Sequence, residues 1–324
     1  MAITMAAALF DDRLRYVTEH PIPPRRPDWA LIRVHTAGIC RTDLELMQGY
    51  LVFRGVLGHE FIGVVEESDD PHWTGRRVSG EINAACGHCR WCGLGLSRHC
   101  PHRTTLGIVN LDGCMADYCR LPLANLLEIP DMVPDERAIL LEPLSAACEI
   151  LEQLTVRGEE RIVVLGDGRL GILCAWALAT VAGDVTLLGH HPEKLALARW
   201  RGIKTALSDD FVAPGEADIV VEATGSSQGI AAAIKLCRPR GTIVLKTTAA
   251  RPGNINLAPI VINELSVIGS RCGRFGDGLR MMEDYPDMPL EKMITAHYPL
   301  AQVEAAFNDA ARGESLKVLL DISS

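Results

Sequence analysis

The chain reads as an α/β protein in which a mostly β domain precedes a doubly wound parallel-sheet domain, and three features predict this. Up to about residue 145 the sequence carries short β-rich runs such as Ala30 to Thr36 and Phe61 to Glu66, broken by Gly, Pro and charged turns. From Arg161 apolar strands alternate with helices: Arg161 to Leu165, Val185 to Leu188, Ile219 to Val221, Thr242 to Leu245 and Leu265 to Ile268. That spacing calls for parallel strands joined by crossover helices. Beyond Ser270 the character is mixed again, with a turn at Pro286-Asp287-Met288-Pro289, an amphipathic helix over Leu300 to Ala311 and a last strand over Leu316 to Asp321 that can rejoin the first domain. The expected division is 1–146, 147–269 and a return segment over 270–324.

Composition narrows the classes of function. With 324 residues and 48% hydrophobic content, two ordinary cores are expected. A formal charge of −9 argues against a broad phosphate-binding face of clustered Lys and Arg, so no nucleic-acid partner is expected. Met1 to Phe10 is apolar but short, lacks a basic leader and runs into Asp11-Asp12, which fits neither a secretory signal nor a membrane span. A cytoplasmic location follows as the expectation. Eleven cysteines, an odd number, suggest reduced thiols and metal ligation rather than disulfides. Six of them (Cys114, Cys119, Cys148, Cys174, Cys237, Cys272) have no ligand-like spacing and are expected to be small buried side chains.

The other cysteines carry chemistry. Cys86, Cys89 and Cys92 are separated by two residues each, and Cys100 follows after seven more, within a lobe expected over about 84–103. Four thiolates close a tetrahedron around zinc and leave no position for substrate, so this zinc would be structural. An iron–sulfur cluster of the bacterial ferredoxin type wants three residues before its last cysteine, not seven.

A second constellation spans Gly38-Ile39-Cys40-Arg41-Thr42-Asp43 and Gly58-His59-Glu60-Phe61-Ile62-Gly63. One thiolate, one imidazole and a carboxylate leave an exchangeable position on a metal, which is what a Lewis-acid site requires. A third element is the turn Gly166-Asp167-Gly168-Arg169-Leu170-Gly171 between an apolar strand and an apolar helix over Leu170 to Val181. Its glycines permit a tight turn and close approach of a pyrophosphate, and the helix start offers free amides to the phosphates.

These segments resemble the medium-chain, zinc-containing alcohol dehydrogenase family, near its polyol, threonine and sugar dehydrogenase branch, over essentially the whole chain. The resemblance implies a GroES-like catalytic domain with a structural zinc lobe and a Rossmann domain. It also implies a catalytic zinc held by Cys40 and His59, with Glu60 and Glu142 (in Leu141-Glu142-Pro143-Leu144) both matching carboxylates that can serve as a further ligand. Thr42 matches the hydroxyl that takes the substrate's proton, and Asp43 the carboxylate that orients the ligating imidazole. Where many relatives carry a relay histidine five residues after the cysteine, this chain has Glu45. Tyr50, Phe53 and Arg54 match pocket-lining positions.

The cofactor-binding positions are Gly166, Gly168, Arg169, Leu170 and Gly171, with Thr224 of Glu222-Ala223-Thr224-Gly225 at the carboxyl end of a later strand. About twenty residues on, where NAD enzymes place an acid, stand Gly189, His190 and His191. With no carboxylate at that position to repel a 2′-phosphate, the sequence leans to NADP, with NAD also admitted. The expectation is therefore reversible hydride transfer between an alcohol, of polyol or sugar type, and NAD(P), with two zinc ions per chain and a homodimer or homotetramer. The alternatives are a zinc-free quinone or enoyl reductase of the same superfamily, against which Cys40 and His59 argue, and a non-catalytic zinc- and nucleotide-binding module.

Overall fold

The structure, a computed structural model, describes residues 4–24, 26–211, 215–248 and 254–322. Its chain forms two compact units, 1–141 with 293–324 and 142–292.

The first unit begins with a hairpin of β1 (Thr4–Phe10) and β2 (Leu14–Pro21), followed by β3 (Trp29–Gly38), α1 (Arg41–Met47), β4 (Gly55–Val56) and β5 (Glu60–Glu67). After β6 (Arg77–Gly80) comes a lobe of β7 (Asn83–Ala84), α2 (Arg90–Gly93) and β8 (Thr104–Thr105), then β9 (Tyr118–Pro122), β10 (Leu126–Glu128) and α3 (Asp135–Ala138). β3 is the organising strand. Its alternation puts Ala30, Ile32 and Val34 at 0–1% exposure while Arg33 faces solvent. It pairs antiparallel with β5 and β9, and β5 pairs with β6.

The second unit opens with α4 (Leu141–Gln153), then β11 (Arg161–Leu165), α5 (Arg169–Ala179), β12 (Asp184–Gly189), α6 (Pro192–Ala198), β13 (Lys204–Leu207), β14 (Ala217–Glu222), α7 (Gly229–Leu236), β15 (Cys237–Leu245), α8 (Ala258–Ile262), β16 (Ser266–Gly269) and α9 (Phe275–Asp284). The six strands form one parallel sheet in the order β13-β12-β11-β14-β15-β16. Helices cover both faces, so β11 and β14 read as continuous apolar runs and Ile162, Val164, Val220 and Val221 are fully buried. α5 is buried from Gly171 to Ala179, as its all-round apolar sequence predicts. β13 went unrecognised in the sequence because Lys204-Thr205-Ala206-Leu207 is short and only half apolar.

The chain returns to the first unit through β17 (Ile294–Pro299), α10 (Val303–Ala310) and β18 (Lys317–Asp321). β18 lies parallel to β17 and antiparallel to β3. Residues 270–292, grouped by sequence with the return segment, pack instead in the second unit. The reason is α9, whose Met281 Sδ sits 3.6 Å from Cys148 Sγ on α4, while Arg274 pairs with Glu152 at 2.5 Å. Five of the six unassigned cysteines are buried; Cys272 is half-buried.

Candidate active site and metal centres

In the lobe, Cys89 is the residue just before α2 and Cys92 lies within it, while the segments on either side deliver Cys86 and Cys100. The Sγ atoms stand 3.5 Å (Cys89–Cys92 and Cys86–Cys100), 3.7 Å (Cys89–Cys100) and 4.0 Å (Cys86–Cys92) apart. A zinc tetrahedron with Zn–S bonds of about 2.3 Å has an S···S edge of about 3.8 Å, so the four donors fit that ion. The backbone N–H of Cys86 draws the Cys100 thiol down to about 6, while burial and the neighbouring Cys89 thiol push Cys92 up to about 11. No disulfide competes, since all eleven cysteines are free.

The second cluster forms where β3 ends and β5 begins. Cys40 is the N-cap of α1, with its backbone N–H donating to Asp43 Oδ2 at 2.8 Å in a capping box. Gly58 and β5 bring His59 and Glu60 beside it, and one donor atom from each of Cys40, His59 and Glu60 lies within 4.8 Å of the others. Asp43 and His59 are 0% and 3% exposed, and Asp43 Oδ1 is 3.2 Å from His59 Nδ1. That contact assigns Nδ1 to the carboxylate and leaves Nε2 as the metal-facing nitrogen. Burial opposes a charge on the His59 ring, yet the carboxylate of Asp43 and the sulfur of Cys40 outweigh it and push its pKa well up.

Thr42 places Oγ1 3.8 Å from Cys40 Sγ. Glu45 is turned toward Arg41, whose Nε donates to Oε1 at 2.9 Å. Phe53 is buried, and Arg54 is exposed and paired with Asp12 at 2.8 Å. Glu142 lies in α4 of the second unit.

One residue of this site was missed in the sequence. Lys317, the first residue of β18, is fully buried with Nζ against Glu60 Oε2. Burial pulls its pKa down to about 8, while the negative charges of Cys40 and Asp43 act the other way. A Cβ on Gly38 would come within 2.5 Å of Lys317 Nζ and 2.6 Å of Glu60 Oε2, so glycine at the end of β3 is what leaves room for the pair. The available signal was a lysine inside the apolar run Leu316 to Leu320.

In the second unit the strand order reverses between β11 and β14, which makes the carboxyl ends of these strands the crevice where dinucleotides bind in such sheets. Gly166 has φ +109°, and a Cβ there would sit 2.5 Å from Ala223 O of the turn after β14. On Gly171 a Cβ would meet Gly166 O at 1.8 Å. Gly168, the N-cap of α5, differs: it makes no side-chain cap, and a Cβ on it would touch nothing within 4 Å. The helix start is thus uncapped and has space before it, as a bound pyrophosphate requires. Arg169 and Leu170 are half-buried beside it. Thr224 is tied back, N and Oγ1 donating to Glu222 Oε1 at 2.9 and 2.6 Å.

At the end of β12, His190 is exposed and His191 half-buried. The expectation that no carboxylate stands there is corrected: Asp167, from the glycine turn, is beside Gly189 and accepts hydrogen bonds from the backbone N–H groups of His190 and His191, each at 2.7 Å. The sequence concealed this because the acid comes from another element.

A closed tetrathiolate site, an open mixed-donor site and a dinucleotide crevice in one chain define a zinc-dependent, nicotinamide-dependent dehydrogenase. Residues 26–131 match the alcohol dehydrogenase GroES-like domain family and residues 135–322 the glucose dehydrogenase C-terminus family. The chain belongs to the medium-chain zinc alcohol dehydrogenase family and is an oxidoreductase acting on CH–OH groups with NAD(P). It is 29% identical to an L-threonine 3-dehydrogenase of Deinococcus deserti over 94% of this chain and 95% of that one. Against a zinc-type alcohol dehydrogenase-like protein of Haemophilus influenzae the figures are 30%, 82% and 83%. A zinc-binding dehydrogenase from Sinorhizobium meliloti 1021, solved bound to NADP, superposes with a TM-score of 0.88 at 25% identity, covering 98% of this chain and 99% of that one.

Proposed function

We propose that the chain reversibly oxidises a secondary alcohol of polyol or sugar type, with Cys40, His59 and a carboxylate from Glu60 or Glu142 holding a catalytic zinc and Cys86, Cys89, Cys92 and Cys100 a structural one. The observation that carries this reading is the convergence of Cys40, His59 and Glu60 within 4.8 Å, with Asp43 on His59. When bound there, zinc supplies Lewis acidity that lowers the pKa of a hydroxyl it touches.

The chain's own residues do the rest. Asp43 fixes the tautomer and aim of His59 through Nδ1. Thr42 Oγ1, a neutral donor and acceptor, would relay the substrate's hydroxyl proton, accepting it while releasing its own outward toward Glu45 and solvent. A nicotinamide dinucleotide bound in the second unit would supply the two-electron acceptor for the hydride on the carbinol carbon, leaving a ketone or aldehyde. Glu45 is the relay carboxylate on the same helix, engaged by Arg41. Gly166, Gly168, Arg169, Leu170 and Gly171 would hold a pyrophosphate at the start of α5, with Thr224, just after β14, at the carboxyl end of the sheet.

The eleven free cysteines support a reducing, cytoplasmic setting. Among the described residues no helix is long and apolar enough to cross a membrane. A homodimer or homotetramer is supported by β16, which among the described residues is an edge strand pairing with β15 alone, and by the exposed Val267 on it and Val261 and Ile262 on α8 just before it. The test is a panel of alcohols assayed with NAD and NADP. Zinc-dependent turnover of a polyol or sugar alcohol supports the reading, and cofactor binding without turnover of any alcohol contradicts it. Zinc content of Glu60→Gln and Glu142→Gln identifies the ligating carboxylate.

A further inference from the structure

The glycine at the end of β12 removes the acid that in dinucleotide-binding sheets of this type accepts hydrogen bonds from the adenosine ribose. The removal is only in the sequence. A Cβ placed on Gly189 would lie 2.3 Å from Cβ, Cγ and Oδ2 of Asp167, so the space into which a side chain at 189 would project already contains a carboxyl group. Asp167 reaches it from the second position of the glycine turn that follows β11, the strand beside β12 in the sheet.

The carboxylate is held there firmly. Oδ2 accepts the backbone N–H of His190 and of His191, each at 2.7 Å, and lies 3.0 Å from His191 Nδ1. These bonds all fall on Oδ2, which leaves Oδ1 to accept from a ligand. With only 6% of the residue exposed, its charge is poorly screened by water.

We propose that Asp167 is the residue that reads the adenosine ribose and sets the cofactor preference of this chain toward NAD, resting on the assignment of the second unit to a nicotinamide dinucleotide. A ribose 2′-hydroxyl donates to a carboxylate oxygen. A 2′-phosphate near neutral pH carries about −1.5 to −2 charge and offers acceptors almost alone, so it meets the same oxygen with repulsion. The turn has little to offset that. Gly189-His190-His191-Pro192-Glu193 holds no arginine or lysine, and the Nδ1 of His191 is directed to Asp167 rather than outward. Lys194, the next residue, is 6% exposed.

Fluorescence titration of the zinc-loaded protein with NADH and with NADPH, without substrate, tests this through dissociation constants alone. Wild-type protein is expected to bind NADH at least about tenfold more tightly than NADPH. Asp167→Asn keeps an acceptor oxygen for the two backbone N–H groups and loses the charge; it is expected to shrink the ratio by about tenfold, chiefly by tightening NADPH. Equal or tighter NADPH binding by the wild type overturns the proposal, as does an unchanged ratio in the folded variant. If neither dinucleotide binds, the assignment of the second unit fails and takes this proposal with it, a result distinct from an indifferent ratio.

Discussion

Lys317 Nζ and Glu60 Oε2 form an ion pair that no solvent reaches, joining the last strand of the chain to the first residue of β5 beside His59. A buried charge without its partner is costly, because the interior cannot replace the lost hydration. Lys317→Met is therefore expected to lower stability by about 3–5 kcal/mol in denaturant unfolding. The double variant Lys317→Met/Glu60→Gln should recover most of that loss. Additive effects in the double variant would show that the pair is not coupled.

Asp43 holds His59 through Nδ1 without itself being a proposed ligand. Asp43→Asn should weaken zinc binding at the Cys40 site by about 10–100-fold, the usual cost of losing such an orienting carboxylate. Competition with a zinc chelator measures it, and the tetrathiolate zinc serves as the internal reference, since it should be retained.

Cys100→Ser leaves three thiolates in a lobe that has no apolar core of its own. The expected result is loss of one zinc and rapid proteolysis between residues 86 and 100, with the rest of the chain still folded. A lobe as protease-resistant as the wild type would argue that the metal does not organise it.

Gly189→Ala forces a methyl group to within 2.3 Å of the Asp167 carboxyl. Crowding of this kind costs about 1–3 kcal/mol, and Asp167→Gly in the same chain should relieve it. The melting temperatures of the two single variants and the double variant decide the matter.

The pH dependence of Asp167 has a defined sign. Burial raises its pKa, but the N–H groups of His191 and His190 and the His191 ring prevail, so its folded value is lowered. The carboxylate contributes stability that is fully present above its unfolded value of about 3.9 and lost as pH falls through the lower folded value. The stability difference between wild type and Asp167→Asn should thus be present at pH 5 and be lost as pH falls below about 4. A difference that persists unchanged into acid would contradict this.

What the sequence disclosed and what it hid follow one physical division. Features set by local spacing were legible: the turn around Gly166, the cysteine spacing and the apolar helix α5 all encode their geometry within about a dozen residues. Features made by tertiary pairing were not. Nothing near Glu60 announces Lys317, because β18 reaches β3 only after the chain has built the whole second unit. Nor does Gly189 reveal that Asp167, 22 positions earlier, fills the space a side chain would take. The boundary at 270 also misled, since the packing of α9 on α4 depends on contacts such as Cys148 with Met281 that lie far apart in sequence.

The most direct test of the central claim is zinc analysis of the purified chain and of Cys40→Ser, paired with alcohol-dependent reduction of the nicotinamide cofactor. Two zinc ions per chain are predicted for the wild type, matching the two donor clusters, and one for a folded Cys40→Ser variant that has lost turnover. A single zinc in the wild type, or a Cys40→Ser variant that keeps both metal and activity, would contradict the account.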